Sequence, residues 1–165
     1  MAMVSFACEG TRFHYCVDGV CIHEGHVLLC RAGQSDYWFT PGGRVDLGET
    51  SDEALVREMQ EELGEDVAVG RLLLVVENLF MLADEPTHEL ALMYAITLPP
   101  GSPFLDLAHE RVTEDAGMTL TLRWFPLATL AEVELRPAFL RSAFQQLPEQ
   151  TTHVVCDERG GGVSG

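Results

Sequence analysis

The alternation of apolar and polar positions predicts a chain made mostly of strands. Aliphatic, aromatic and β-branched residues recur in short runs bounded by glycine, proline or small polar residues, which is the pattern of half-buried strands. The first two runs flank a polar turn at residues 23–26 and predict a hairpin. The predicted strands are Phe13 to Ile22, Val27 to Cys30, Val67 to Asn78 with Gly70 as a bulge, His88 to Leu98, and Leu120 to Phe125.

One segment combines helical periodicity with an absence of helix breakers. The run Ala54 to Leu63 contains no glycine or proline, and Thr50 and Ser51 offer N-cap oxygens in front of it. The residues Leu55, Met59 and Leu63 recur every fourth position and form an apolar stripe. A helix that buries this stripe against a sheet is therefore predicted.

The remaining segments are predicted to be two further helices, a loop and a tail. Residues 126–133 and 137–147 show amphipathic spacing, and the second begins with a proline. Residues 80–87 connect two predicted strands, and residues 99–119 read as a long polar loop. We expect one domain over residues 1–147 and a flexible tail over residues 148–165, which ends in Gly-Gly-Gly-Val-Ser-Gly.

The polar side of the predicted central helix carries three glutamates. Because successive helical residues rotate by about 100°, Glu58, Glu61 and Glu62 fall on one face. Like charges at this spacing destabilise a helix, so the patch requires either free hydration or a compensating cation. Taken alone, an acidic run of this kind usually means a solvated helix face. Carboxylates are, however, the ligands that Mg²⁺ and Mn²⁺ prefer.

The string around these glutamates resembles the signature box of the Nudix hydrolase family. The matching positions run from Gly43 to Gly64, GRVDLGETSDEALVREMQEELG. The chain departs from the family pattern at Glu65, where an aliphatic residue is expected, and Val67 is the candidate to replace that packing. The resemblance implies an α/β protein with a Nudix-like α/β/α sandwich and a mixed β-sheet. It also implies that Gly43, Glu58, Glu61 and Glu62 bind Mg²⁺ or Mn²⁺, and that Arg57 and Glu49 brace the loop against the helix.

The function implied by the resemblance is metal-dependent cleavage of a phosphoanhydride bond in a nucleoside diphosphate linked to another moiety. The catalytic carboxylate that accepts the proton of water is Glu58 or Glu62, and three carboxylates outside the box remain alternatives: Glu89, Glu110 and Glu114. Two other functions stay open. One is a catalytically silent nucleotide-binding or regulatory domain, and the other is an isomerase of a diphosphate substrate.

Composition narrows the expected partners. The formal net charge of −16 argues against a nonspecific nucleic-acid or anionic-membrane binder, which leaves a small nucleotide-type molecule as the expected substrate. The sequence shows neither a basic, apolar leader nor a membrane-length apolar run. The five cysteines form no CxxC pair and are expected to be mostly buried free thiols. A cytoplasmic location follows as an expectation, and the resemblance allows a homodimer.

Overall fold

Long strands dominate the computed structural model, which describes residues 2–115 and 117–160. Two short 3₁₀ helices lie at Pro103–Leu105 and Leu127–Glu132. The helices are α1, Ser51–Glu62, and α2, Leu140–Ala143. The strands are β1, Ser5–Cys8; β2, Thr11–Val20; β3, Ile22–His23; β4, His26–Ala32; β5, Gly42–Arg44; β6, Ala68–Leu82; β7, Glu85–Thr97; β8, Arg111–Asp115; β9, Met118–Pro126; and β10, Thr152–Asp157.

The strands form two sheets. The larger sheet has the order β1-β2-β7-β6-β10, with β5 also paired to β2, and the smaller sheet has the order β3-β4-β9-β8. The larger sheet is mixed, because β2 runs parallel to β7 and β10 runs parallel to β6 while its other pairs are antiparallel. The predicted α/β class with a mixed sheet is confirmed.

Hydrophobic side chains pack into two clusters on opposite faces of the larger sheet. The first cluster places Leu55, Met59 and Leu63 of α1 against the sheet residue Val17. The second places Leu140 of α2 and its neighbours against the other face, which includes Cys16, Val76 and Ala91. Because side chains alternate along β2, Val17 and Cys16 lie on opposite faces. The sheet is thus covered on two sides, as a sandwich requires.

Three predicted segments differ from the structure. The loop 99–119 contains a 3₁₀ turn, β8 and the start of β9, because the two strands of this hairpin satisfy each other's backbone groups. The connection 80–87 is mostly strand, with a turn only at residues 83–84. The helix predicted over 137–147 keeps regular α geometry only at Leu140–Ala143.

The prediction of a flexible tail over residues 148–165 is wrong for Thr152–Asp157. These residues form β10, which pairs in parallel with six residues of β6, from Leu74 to Leu79. The strand is anchored further by Glu158, whose carboxylate accepts a hydrogen bond from the backbone N–H of Ala138 at 2.9 Å. Residues 161–165 lie outside the described residues. The assignment of residues 1–147 to a single domain stays a prediction.

Candidate metal and catalytic site

Both ends of helix α1 are capped by its own sequence. The backbone N–H and the hydroxyl of Thr50 both donate to the Glu53 carboxylate, at 2.9 and 2.8 Å, which is the carboxylate half of a capping box. At the other end Gly64 has a φ of 72°, and its N–H donates to the carbonyl of Gln60 at 3.1 Å. The left-handed conformation at this position favours glycine. Of the two candidate N-cap residues, Thr50 is the N-cap, and the helix begins at Ser51.

The apolar stripe of α1 fixes the direction of its polar side. Leu55, Met59 and Leu63 are each 0 % exposed, as predicted. Val67 is also buried in the same cluster, so it supplies the packing that Glu65 cannot. Because the helix is held on this side, the polar side is turned towards β5 and the loop that follows it.

Arg57 joins the helix to that loop. Its Nε and Nη2 donate to the two carboxylate oxygens of Glu49, each at 3.0 Å, and Nη2 also donates to the carbonyl of Arg44 at 3.0 Å. Its Nη1 donates to Glu58 Oε1 at 2.6 Å and lies 3.6 Å from Glu61 Oε1. Paired hydrogen bonds of this kind are among the stronger side-chain contacts. The structure therefore contains the contacts through which Arg57 and Glu49 are predicted to brace the loop against the helix.

Two glycines let the carboxylates approach the backbone. A Cβ atom on Gly43 would lie 2.3 to 2.5 Å from the carboxyl atoms of Glu58. A Cβ atom on Gly42 would lie 2.8 Å from Asp18 Oδ1, and the Gly42 N–H donates to Glu62 Oε2 at 3.1 Å. Any larger residue would push the carboxylates away from the strand. The missing side chains of the two glycines therefore leave space for carboxylates beside the strand.

The three glutamates of the helix divide into two environments. Glu58 and Glu62 are 5 % and 2 % exposed, whereas the side chain of Glu61 is 47 % exposed at the rim. All of their ligand atoms are hard oxygens, which fits Mg²⁺ or Mn²⁺ by donor chemistry. Across residues 2–115 and 117–160, however, no three His, Cys, Asp or Glu side chains converge to hold a metal ion.

Comparison with known proteins decides the family. The sequence profile of the NUDIX domain matches residues 12–147. The chain belongs to the NUDIX family. The structure agrees, because the MutT NUDIX hydrolase from Burkholderia pseudomallei superposes with a TM-score of 0.52 at 28 % identity, over 70 % of this chain and 84 % of that one. The recognition made from the box is confirmed.

Curated relatives match parts of this NUDIX chain. A low-salt glycan biosynthesis protein of Haloferax volcanii is 36 % identical over 103 residues, which are 58 % of this chain and 66 % of the relative. The 8-oxo-dGTP diphosphatase of Proteus vulgaris is 32 % identical over 73 residues, 42 % of this chain and 65 % of the relative. The matches therefore span no more than about two thirds of the length of these curated relatives.

A further carboxylate, Asp18 on β2, lies beside the NUDIX box. Burial raises the pKa of the Asp18 carboxyl well above its usual value, and the charges of Glu89 and Glu58 raise it further, while a hydrogen bond from Thr40 opposes the shift. Asp18 pairs with Gly42 across β2 and β5. Sequence reasoning missed it, because only the strand register brings it to the box.

The three alternative proton acceptors occupy different surroundings in this NUDIX fold. Glu89 lies within β7 and accepts long contacts from Asn78 Nδ2 and Cys16 Sγ, each at 3.4 Å. Burial is the main cause that raises the pKa of the Glu89 carboxyl. Glu110 and Glu114 are exposed, and Glu114 accepts a hydrogen bond from Thr119. Of the three, only Glu89 lies close enough to affect Asp18 electrostatically.

Proposed function

We propose that this NUDIX protein is a hydrolase that uses Mg²⁺ or Mn²⁺ to cleave a phosphoanhydride bond of a nucleoside diphosphate linked to another moiety. The observation that supports it best is the pair Glu58 and Glu62, two buried carboxylates held against Gly43 and Gly42. Arg57 supplies one positive charge at Glu58, and a divalent cation would lower further the cost of burying two like charges. The relative named 8-oxo-dGTP diphosphatase agrees with an anhydride substrate.

The ion would be held by Glu58, Glu61 and Glu62, with the carbonyl of Gly43 as a further oxygen. When bound, it supplies neutralisation of the diphosphate and acidification of a water molecule. The exposed position of Glu61 leaves it able to move towards such an ion. Bound cations also allow a protein with a net charge of −16 to accept an anionic substrate.

The side chains around the proposed ion site have separate roles in the reaction. Arg57 fixes the orientation of Glu58 through its contact at 2.6 Å and ties the helix to Glu49. Glu62 is oriented by the N–H of Gly42. Either Glu58 or Glu62 accepts the proton of the attacking water, because each is a positioned carboxylate beside the glycine turn. Their burial limits competing water around that proton transfer.

The proposal is tested with a substrate panel. The protein is incubated with nucleoside triphosphates, dinucleoside polyphosphates, ADP-ribose and sugar nucleotides, with Mg²⁺ or Mn²⁺ and with a chelator. We expect turnover that requires the cation and falls by at least about 100-fold in Glu58→Gln and Glu62→Gln. The matched control is Glu132→Gln, which makes the same change at an exposed position at the end of a 3₁₀ helix.

The alternatives predict different results in the same experiment. A catalytically silent domain would bind nucleotides without turnover, and an isomerase would convert its diphosphate substrate without releasing phosphate-containing fragments. Turnover that persists in both glutamine variants would refute the assigned catalytic pair.

Location and assembly remain predictions attached to this proposal. All five cysteines are free thiols, which suits the reducing cytoplasm. No helix among the described residues is long and apolar enough to cross a bilayer. The family resemblance allows a homodimer, and sedimentation velocity measures the assembly directly.

A further inference from the structure

A row of polar side chains crosses the face of the larger sheet that lies opposite α1. Strand register places these residues side by side, since Ser5 pairs with His14, His14 with Glu89, Glu89 with Asn78 and Asn78 with Cys156. Paired residues on neighbouring strands point to the same face and lie about 5 Å apart. Five strands therefore each contribute one polar side chain to a single row.

The centre of this row carries hydrogen-bonding atoms that the protein leaves unused. His14 and Asn78 are 3 % and 6 % exposed. Within residues 2–115 and 117–160, the two ring nitrogens of His14 and the Oδ1 atom of Asn78 have no hydrogen-bond partner. Glu89 lies between them and is partly exposed, and its carboxylate accepts two long contacts, from Asn78 and Cys16. Buried polar atoms without partners are rare and costly in folded proteins, so a partner from outside the chain is indicated.

The unused atoms define the chemistry of that partner. Asn78 Oδ1 is an acceptor, and each oxygen of Glu89 retains a second lone pair. Burial lowers the pKa of His14, with Arg44 and Arg12 adding to the effect, so the neutral ring offers one N–H donor and one acceptor. The complementary ligand edge thus has two neighbouring N–H donors, which face Asn78 and Glu89, and one acceptor, which faces His14.

The row also lies at a suitable distance from the candidate catalytic residues. Asp18 lies four residue steps beyond His14 along extended β2, which is a distance of about 13 Å. Asp18 lies against Gly42 beside the Glu62 carboxylate. Cys16 lies between the two positions on the same face, opposite Arg44 of β5. A nucleoside diphosphate can span this distance with its base at the row and its phosphates at α1.

We infer that Glu89, Asn78 and His14 recognise the base of the substrate, and that the base is guanine or a base with the same edge. The Watson–Crick edge of guanine presents one carbonyl acceptor followed by two N–H donors. Hypoxanthine lacks the last donor, and adenine and uracil present other patterns. The inference rests on the proposed function for its substrate class, and it assigns Glu89 to specificity instead of proton transfer.

The test compares nucleotides that differ by one group. The kcat/KM values for GTP and ITP are measured at pH 8 with Mg²⁺, for the wild-type protein, for Asn78→Leu and for Glu89→Gln. We expect the wild type to prefer GTP by at least about tenfold, because the loss of one donor leaves an acceptor unpaired. In Asn78→Leu the ratio should fall to about one, because the acceptor that faces the base amino group is gone. Glu89→Gln should lower kcat/KM for GTP and for ITP together, because both bases carry the ring N–H that faces Glu89. Glu132→Gln should keep the wild-type ratio.

Binding without turnover separates this inference from the proposed function. The affinities of GDP and IDP are measured by calorimetry in the presence of a chelator. If no nucleotide is hydrolysed but GDP still binds at least about tenfold more tightly than IDP, the proposed function fails and the base site stands. If nucleotides are hydrolysed with GTP and ITP within twofold of each other, the base site is refuted and the hydrolase stands.

A further outcome concerns the role of Glu89 itself. If Glu89→Gln lowers kcat for GTP, ITP and ATP equally, Glu89 takes part in proton transfer and the assignment to specificity is wrong. If Glu89→Gln does not fold, the GTP to ITP comparison on the wild-type protein and the GDP to IDP affinities still decide the question.

Discussion

Removal of the Arg57 guanidinium is the sharpest test of how the carboxylates are held. The Arg57 side chain is 27 % exposed, and those of its partners Glu49 and Glu58 are 12 % and 7 % exposed. Breaking a buried ion pair costs about 3–5 kcal/mol, whereas an exposed pair contributes about 0–1 kcal/mol. Because Arg57 retains some solvent contact, we expect Arg57→Ala to lower the free energy of unfolding by about 3 kcal/mol.

Urea denaturation at pH 7 in a chelator measures this change. With an m-value of about 2 kcal/mol/M, the midpoint should fall by about 1.5 M. The matched control is Arg136→Ala. Arg136 makes ion pairs at 2.8 and 3.3 Å, but its side chain is 49 % exposed, so its loss should cost no more than about 1 kcal/mol. Equal losses in the two variants would show that burial does not strengthen the Arg57 contacts.

A double-mutant cycle identifies the contact responsible. In a Glu58→Gln background the removal of Arg57 should cost about 1–3 kcal/mol less, because the buried charge is already gone. Excess Mg²⁺ should restore part of the stability of Arg57→Ala, since a bound cation replaces the missing positive charge. Additive losses in the cycle would refute the direct coupling between Arg57 and Glu58.

Three further predictions use other parts of the structure. Gly43→Ala should lower both the melting temperature and kcat/KM, because its Cβ would displace the Glu58 carboxyl. Gly160→Ala should change neither, because a Cβ there would have no atom of the described residues within 4 Å. Asp18→Asn should raise the urea midpoint at pH 8 but not at pH 4. The pKa of the Asp18 carboxyl is raised in the folded protein, so the wild-type protein loses stability as the pH rises through that pKa. A lower urea midpoint of Asp18→Asn at pH 8 would contradict this sign. Truncation after Gln150 should lower the melting temperature in a thermal scan, since it removes β10.

The helix and the box were predictable from the sequence because their information is local. The stripe of Leu55, Met59 and Leu63 and the cap at Thr50 depend on residues within a few turns of each other. The pairing of Arg57 with Glu49 spans eight residues. At this range, periodicity and side-chain length decide which groups meet.

The row of polar side chains that we assign to base recognition was not predictable from the sequence, because its members come from distant parts of the chain. Glu89 meets Asn78 across a hairpin and His14 across a parallel pairing that joins residues 75 positions apart. A shift of one residue in either register would turn these side chains to the opposite face. The same reason explains β10, since its parallel partner β6 lies about 78 residues earlier and no turn connects the two strands.

The distribution of positive charge links the two sites. The chain has 10 basic and 26 acidic residues. Glu58 receives the Arg57 guanidinium, whereas burial, and after it the charges of Glu89 and Glu58, raises the pKa of the Asp18 carboxyl. A cation bound near Glu58 and Glu62 would lower the cost of a charged Asp18. The same cation would neutralise the phosphates, which GDP and IDP share. Cation and diphosphate should therefore bind with positive coupling, and the affinities for GDP and IDP should rise by the same factor when Mg²⁺ is added.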